Sequence, residues 1–263
     1  MPHQRPHQIY RALSVDRPRQ FMKMTSPADY GFFRVPRNIE ELLKGRAYLH
    51  KPTPVDVATA VTLPDVPIVQ AAREFARSKL PPETFNHSHR VFYYGAVIIA
   101  QQFPEHANNA TILETYALTC LFHDIATADE FLYATRMSFD FYGAFLAREF
   151  LLNRSAPQDE ADAVAEAILR HQDVEVNGTI TFIGLIIQLT TLLDNAGSFL
   201  TLISPETIDS VVKLYPRLDW SSCFSKFVAT EISVKPWCHS TAVTDFVKVV
   251  KENKYFIDRY ESN

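Results

Sequence analysis

Apolar residues recur at three- and four-residue spacing along most of the chain after residue 68, and this period is typical of amphipathic helices. Asn86 is placed to cap a helix that begins at His87 and ends before Pro104. Thr111 and Glu114 have the spacing of a capping box and predict the start of the next helix. One apolar face of a further helix, which opens at Ser155-Ala156-Pro157, carries Ala161, Val164, Ala165 and Ile168. No segment alternates as a strand would, so the pattern predicts an all-α fold, a helical bundle.

The most apolar stretch of the chain runs from residue 179 to residue 203. Gln188 and Asp194 interrupt it, and its charge-free part is shorter than the roughly 18 residues that a membrane span needs. We therefore predict a buried central helix over residues 180–203 and no membrane segment. Further helices are predicted near residues 206–214, 220–233 and 241–253.

Proline marks the segment before the helical part. Residues 30–67 combine aromatic residues with Pro36, Pro52, Pro54, Pro64 and Pro67, which predicts an ordered N-terminal arm laid on the domain. Residues 1–29 hold several arginines and prolines without an apolar core. We expect a disordered extension there, with a mitochondrial presequence as the alternative. The expected organisation is an extension over 1–29 and a single domain over 30–263, whose core covers about 68–203.

Composition narrows the class of protein. The chain has 263 residues, of which 47% are hydrophobic, so it can bury one large core. The net charge of -4 disfavours a nucleic-acid partner, which would require a basic stripe. Three widely separated cysteines provide no disulfide framework and no thiolate zinc site, and they favour a reducing, cytoplasmic location. The sequence leaves a homo-oligomer open.

Asp194 is the only charged residue between residues 179 and 203. An unpaired carboxylate in an apolar helix costs several kcal/mol, so Asp194 needs a partner. A buried salt bridge and a metal ion satisfy this requirement equally well.

Histidines supply further candidate ligands. His123 and Asp124 are adjacent at the end of an apolar run, and an imidazole beside a carboxylate suits a divalent cation. His87 and His89 lie about 200° apart around a helix, so only one of them faces the core. His171 continues the apolar stripe of its helix and faces inward, either as a packed core residue or as an acid or base.

The order His87, His123-Asp124 and Asp194, with each motif on its own predicted helix, resembles the HD-domain superfamily of helical metal-dependent enzymes. The resemblance covers about 110 residues. It implies an HD-type bundle in which these four residues bind one divalent metal and leave positions for water and substrate. It also favours His87 over His89.

A narrower resemblance extends over most of the chain. Its motifs are Tyr30-Gly31-Phe32 with Val35-Pro36, Asn86-His87-Ser88-His89-Arg90-Val91-Phe92-Tyr93-Tyr94-Gly95, Leu121-Phe122-His123-Asp124-Ile125, and Lys235-Pro236-Trp237. They are similar to those of the fungal cyanamide hydratases, which use zinc to hydrate the nitrile of cyanamide to urea. The chain departs from that family at Ala126-Thr127-Ala128, where the family tends to have Gly-Thr-Thr.

The resemblance implies a role for several side chains. Asp124 would be both a metal ligand and a proton shuttle, with His171 and Thr127 assisting. Zn²⁺ is the implied cofactor, and a set of His and carboxylate ligands also accepts Fe²⁺ or Mn²⁺. A small neutral nitrile requires a tight pocket. The candidate aromatic walls of that pocket are Phe32, Phe33, Tyr93 and Trp237, each of which has core packing as its alternative.

Three other functions compete with this hypothesis. An HD-type phosphohydrolase acting on a nucleotide would need cations near the metal, and Arg90 and Arg136 are the candidates. The segment 127–130 argues against it because it adds acids and no cation. A non-catalytic helical binding module would not need metal-type ligands on separate core helices. Hydration of another small nitrile or of an isocyanide differs from cyanamide hydration only in the shape of the pocket.

Overall fold

The structure, a computed structural model, describes residues 26–261. Most of the predicted extension, residues 1–25, lies outside this range. The α-helices are α1 Ile39–Leu42, α2 Val57–Ala60, α3 Pro67–Lys79, α4 Pro82–Gln102, α5 Ala110–Phe122, α6 Asp129–Leu132, α7 Phe139–Leu152, α8 Gln158–Leu169, α9 Phe182–Ala196, α10 Pro205–Leu214, α11 Trp220–Val234, α12 Phe246–Lys251 and α13 Lys254–Tyr260. Short 3-10 helices cover Pro27–Tyr30, Pro104–His106, Ile125–Thr127, Leu200–Leu202 and His239–Ala242. The predicted all-α fold is confirmed.

Two short strands were not predicted. β1 (Arg34–Pro36) pairs antiparallel with β2 (Thr179–Thr181), and Val35 lies opposite Ile180. β1 belongs to the predicted arm, and β2 leads directly into α9, where the Thr181 side chain accepts a hydrogen bond from Gly184 N. The pair therefore fixes the arm against the amino end of the central helix.

Several helix boundaries differ from the prediction. α4 begins at Pro82, one turn before the predicted cap at Asn86. The cap of α5 is Asn109, whose side chain accepts hydrogen bonds from two backbone amides, and not Thr111. α9 ends at Ala196 because Gly197 adopts the left-handed conformation, with φ 65°, that commonly ends a helix. The apolar run to residue 203 is therefore one helix followed by a turn.

Helix α4 lies at the centre of the bundle and packs against α5, α9, α10 and α11. Tyr116 of α5 joins three of these helices, since its hydroxyl donates to Val91 O at 3.0 Å and lies 2.8 Å from Thr190 Oγ1. A side chain at Gly95 would place its Cβ 2.1 Å from that hydroxyl, so only glycine allows this approach. Within residues 26–261 no helix is long and apolar enough to cross a membrane.

Candidate metal centre

Three potential ligands meet where the middle of the bundle is most deeply buried. His87 lies on α4, His123 directly follows α5, and Asp124 comes next in the chain, before the 3-10 turn at 125–127. One ligand atom from each of these three residues lies within 4.8 Å of the others, and all three residues are at most 1% exposed. The structure thus brings together two of the three predicted motifs in a geometry that suits one ion.

In three histidines the Nδ1 atom of the ring lies beside a hydrogen-bond acceptor. Nδ1 of His87 lies 2.6 Å from Asp194 Oδ2, while Nδ1 of His123 and of His171 lie 2.8 Å from backbone carbonyl oxygens. An acceptor at Nδ1 holds the proton there and leaves Nε2 with a free lone pair, which is the form that binds metals. The three Nε2 atoms lie 3.3 to 3.9 Å from the carboxylate oxygens of Asp124.

Asp124 is the clearest indication of a cation. Both of its carboxylate oxygens are buried, and neither has a hydrogen-bond partner among residues 26–261. Burial by itself would raise the pKa of Asp124, but His123 and His87 in their protonated forms outweigh this effect and hold the pKa at about 2. The buried Asp124 carboxylate therefore needs a positive charge beside it, either a protonated imidazole or a bound cation. The donor set fits a divalent metal ion.

Asp194, the fourth predicted ligand, has a set of hydrogen-bond partners of its own. Its carboxylate lies behind the His87 ring, where it accepts hydrogen bonds from Arg90 Nη2 at 2.8 Å and Arg217 Nη1 at 2.7 Å as well as meeting His87 Nδ1. Burial would raise the pKa of Asp194, but Arg217 and Arg90 outweigh it and hold the pKa well below its usual range. Because these partners occupy both oxygens, the structure does not bring Asp194 into the group formed by His87, His123 and Asp124.

The two arginines continue this network outward. Arg90 also donates to the backbone carbonyls of Tyr215 and Pro216. Arg217 is paired with Glu261, whose side chain is 4% exposed and also accepts from the Ser221 hydroxyl at 3.0 Å. The buried network therefore balances two carboxylates against two guanidinium groups, which is the condition for keeping such charges out of water.

Aromatic rings from α11 cover the other side of His87. Trp220 stacks on the imidazole with ring centroids 4.2 Å apart, and Phe224 stacks on Trp220 at 4.8 Å. The indole Nε1 donates to Asn195 Oδ1 at 2.7 Å. These two rings were not predicted as part of the site, although their four-residue spacing at the start of a helix indicates a shared face.

Two cavities adjoin the group. The smaller, of about 20 Å³, is lined by His123, Asp124, His171, Gln172, Val174, Thr191, Leu192, Asn195, Phe224, Val243 and Phe246. The larger, of about 420 Å³, is a cleft on the outer side of Trp220 and Phe224, and it also includes Thr127 and Lys226. Trp220 and Phe224 therefore separate the cleft from the buried His87 ring.

The predicted assisting residues lie close to Asp124. His171 lines the smaller cavity, and its Nε2 is 3.9 Å from Asp124 Oδ1. The Thr127 hydroxyl donates to the backbone carbonyl of Asp124 at 2.7 Å and so holds the turn in which Asp124 lies. Gln188 of α9 anchors the turn that carries His171, since its Nε2 donates to Arg170 O at 2.7 Å.

The predicted aromatic walls lie elsewhere. Phe33 stacks on Phe182 at the amino end of α9, which is about 18 Å along the helix from Asp194. Tyr93 packs against Tyr215, and Trp237 is 60% exposed with its Nε1 bonded to a backbone carbonyl. Phe32 is half-buried in the arm. None of these four residues lines either cavity. The aromatic walls are instead supplied by residues of the C-terminal helices: Phe224 lines both cavities, and Phe246 lines the smaller one.

The fold and the site together define an all-α protein with a buried His and Asp group suited to a divalent cation. Comparison with family models finds no match. Two curated proteins of Saccharomyces cerevisiae, cyanamide hydratase DDI2 and cyanamide hydratase DDI3, are each 43% identical to the chain over 230 residues. The alignment covers 87% of this chain and 98% of each relative. The chain belongs to the cyanamide hydratase family.

Proposed function

We propose that the protein is a metal-dependent hydro-lyase that adds water to the nitrile of cyanamide and releases urea. The observation that carries this proposal is the buried carboxylate of Asp124, which has no hydrogen-bond donor among the described residues and faces the Nε2 atoms of three histidines. The relationship to two proteins named cyanamide hydratase supplies the substrate.

His87, His123 and Asp124 would hold the ion, and Asp194 would orient His87 from behind. We propose zinc, while Fe²⁺ and Mn²⁺ also suit these ligands. A divalent cation held there would supply hydroxide at neutral pH, because such ions lower the pKa of water towards about 7. The proposed relationship to the HD-domain superfamily rests on the order of the ligand motifs along the chain.

The side chains around the smaller cavity would transfer protons during the reaction. Hydration adds a hydroxyl group to the nitrile carbon and a proton to its nitrogen, and the resulting isourea tautomerises to urea. Asp124 Oδ1 lies beside His171 Nε2, so this pair would carry the proton between water and substrate. Thr127 would keep Asp124 in position through its hydrogen bond to the backbone of that residue.

The lining of the smaller cavity suits a small neutral substrate. At about 20 Å³ the cavity holds roughly one water molecule, so its walls must move apart to admit the three heavy atoms of cyanamide. Phe224 and Phe246 supply apolar walls, and no Lys or Arg is among the described residues that line it. A neutral nitrile needs no cationic partner.

The same geometry disfavours a phosphohydrolase. Arg90 is fully buried and occupied by Asp194 and by two backbone carbonyls, so it is not free for a phosphate. Arg136 is exposed and lines neither cavity. Neither of the two cations predicted for this function is therefore available to bind a phosphate at the site.

The test is direct. Purified protein of known metal content is incubated with cyanamide and assayed for urea, beside a panel of nucleoside monophosphates and other small nitriles. Asp124→Asn serves as the matched negative control. We expect urea from cyanamide and no phosphate release. Phosphate release from a nucleotide by metal-loaded protein that forms no urea would overturn the proposal.

The three unpaired cysteines support a reducing, cytoplasmic setting for the enzyme.

A further inference from the structure

Gln172 directly follows His171, in the turn after α8, and its side chain is only 5% exposed. It lines the smaller cavity together with His123, Asp124 and His171. Its Nε2 atom is buried and has no hydrogen-bond partner in the part of the chain that the structure describes. A buried donor without an acceptor destabilises the fold, so its retention next to a reactive group calls for a functional explanation.

The Ser240 hydroxyl lies beside the carbonyl oxygen of this amide. Its single hydrogen faces two acceptors, Glu231 Oε2 at 2.8 Å and Gln172 Oε1 at 3.3 Å. Glu231 is itself anchored by the backbone N–H of Phe139 at 2.7 Å. With Oε1 directed at Ser240, the NH₂ group of Gln172 points away from Ser240.

Three other donors around the cavity already have acceptors. The Thr191 hydroxyl donates to Ile187 O at 2.9 Å, and the Nδ1 atoms of His123 and His171 meet backbone carbonyls. The buried NH₂ group of Gln172, in contrast, donates to no acceptor among the described residues. A ligand in the cavity would supply the missing acceptor.

Nitrile hydration creates such an acceptor. As the new C–O bond forms, the electron pair of one C≡N π bond moves onto nitrogen, which carries negative charge until it takes up the proton lost by water. A fixed donor at that nitrogen stabilises the charge as it develops. We propose that Gln172 donates a hydrogen bond from Nε2 to the nitrile nitrogen of the substrate. This inference rests on the proposed function.

The first experiment compares Gln172→Met, which removes the donor at nearly constant size, with Gln172→Glu, which replaces the donor with an acceptor. The control is Gln102→Met, because Gln102, the last residue of α4, is also buried but is fully bonded to Leu49, His50 and Leu202. Metal content, thermal stability, kcat and KM are measured for each. Both Gln172 variants should keep their metal and lose about 100-fold in kcat. Gln102→Met should keep its kcat.

A second measurement does not depend on turnover. The side-chain NH₂ resonances of Gln172, assigned by their absence from the Gln172→Met spectrum, are followed by NMR while acetonitrile is added as a neutral nitrile probe. They should shift, whereas those of Gln102 should not. Unchanged kcat in folded, metal-loaded Gln172→Met overturns the inference and leaves the hydratase function standing. If the wild-type protein forms no urea, the proposed function fails. The shift then decides separately whether Gln172 binds nitriles.

Discussion

His87 and Asp194, which are 107 positions apart in the chain, are joined by a 2.6 Å hydrogen bond between Nδ1 and Oδ2. The bond fixes the imidazole with its Nε2 lone pair directed at Asp124. A carboxylate bonded to the outer nitrogen of a ligand histidine fixes the ring and raises its basicity. We therefore assign Asp194 an indirect part in metal binding.

Replacing Asp194 tests this assignment. Asp194→Asn keeps an acceptor for His87 but leaves Arg90 and Arg217 without their counter-charge. We expect metal affinity to fall by about 10- to 100-fold without being lost. The free energy of unfolding should fall by about 3 to 5 kcal/mol because two buried guanidinium groups lose their partner. Chelator competition and guanidinium denaturation measure the two effects. A variant that stays metal-free at saturating zinc would instead make Asp194 a direct ligand.

Removal of a direct ligand should reduce metal binding more than the Asp194 substitution does. His123→Ala and Asp124→Asn should each lose both bound metal and urea formation, because too few ligands remain for the ion. His50→Ala changes an exposed histidine and should leave both properties intact. Metal analysis after gel filtration, followed by zinc titration, distinguishes weak binding from none. Stoichiometric metal in Asp124→Asn would contradict the proposed centre.

His171→Ala separates binding from chemistry. The variant should retain the metal, because His171 Nε2 lies further from Asp124 than do the other two histidines. Loss of the proton carrier should lower kcat by about 100-fold or more. Steady-state kinetics on metal-analysed protein measure this effect. Loss of the ion together with the rate would move His171 among the ligands.

Glu160 predicts a pH dependence of stability that is independent of the site. Burial and the nearby Glu114 raise the pKa of Glu160 from 4.5 to about 7, although the Thr115 hydroxyl donates to it. The folded state therefore binds this proton more tightly than the unfolded state does. Stability should fall as the pH rises from about 4.5 to 7 and then level off.

Glu160→Gln removes this dependence. We expect a gain of roughly 1 to 3 kcal/mol in unfolding free energy at pH 8 and little change at pH 4.5. Denaturant titrations at the two pH values measure it. Glu166→Gln, on the same helix, breaks a partly exposed pair with Arg170 and should have a small effect at either pH. An equal gain for Glu160→Gln at both pH values would rule out a raised pKa in the folded state.

The parts of the molecule that the sequence predicts are those with local signals. Helical periodicity reports on residues within a few turns, so the bundle could be predicted from it. The polar pair His123-Asp124 in an apolar run was equally visible. Gly197 also indicates the end of α9, because glycine commonly ends helices. The helix was nevertheless predicted to continue to residue 203, since apolar residues follow Gly197.

Other features depend on residues distant in the chain. The role of Asp194 depends on Arg90 and Arg217, and no sequence pattern shows that these arginines meet it. The position of Trp220 on His87 likewise depends on how α11 packs against α4. Aromatic residues near a motif in sequence, such as Phe33 and Tyr93, were expected at the pocket, but helix packing directs their side chains elsewhere.

The ion pair between Arg217 and Glu261 connects the metal centre to the segment that follows α13. Arg217 positions Asp194, and Asp194 positions His87, so docking of this segment and binding of an ion at His87 share one set of contacts. Coupling of this kind is reciprocal. We therefore expect the docked segment to increase the affinity of this group for a cation, and a bound cation to protect α13 from local unfolding by the same factor.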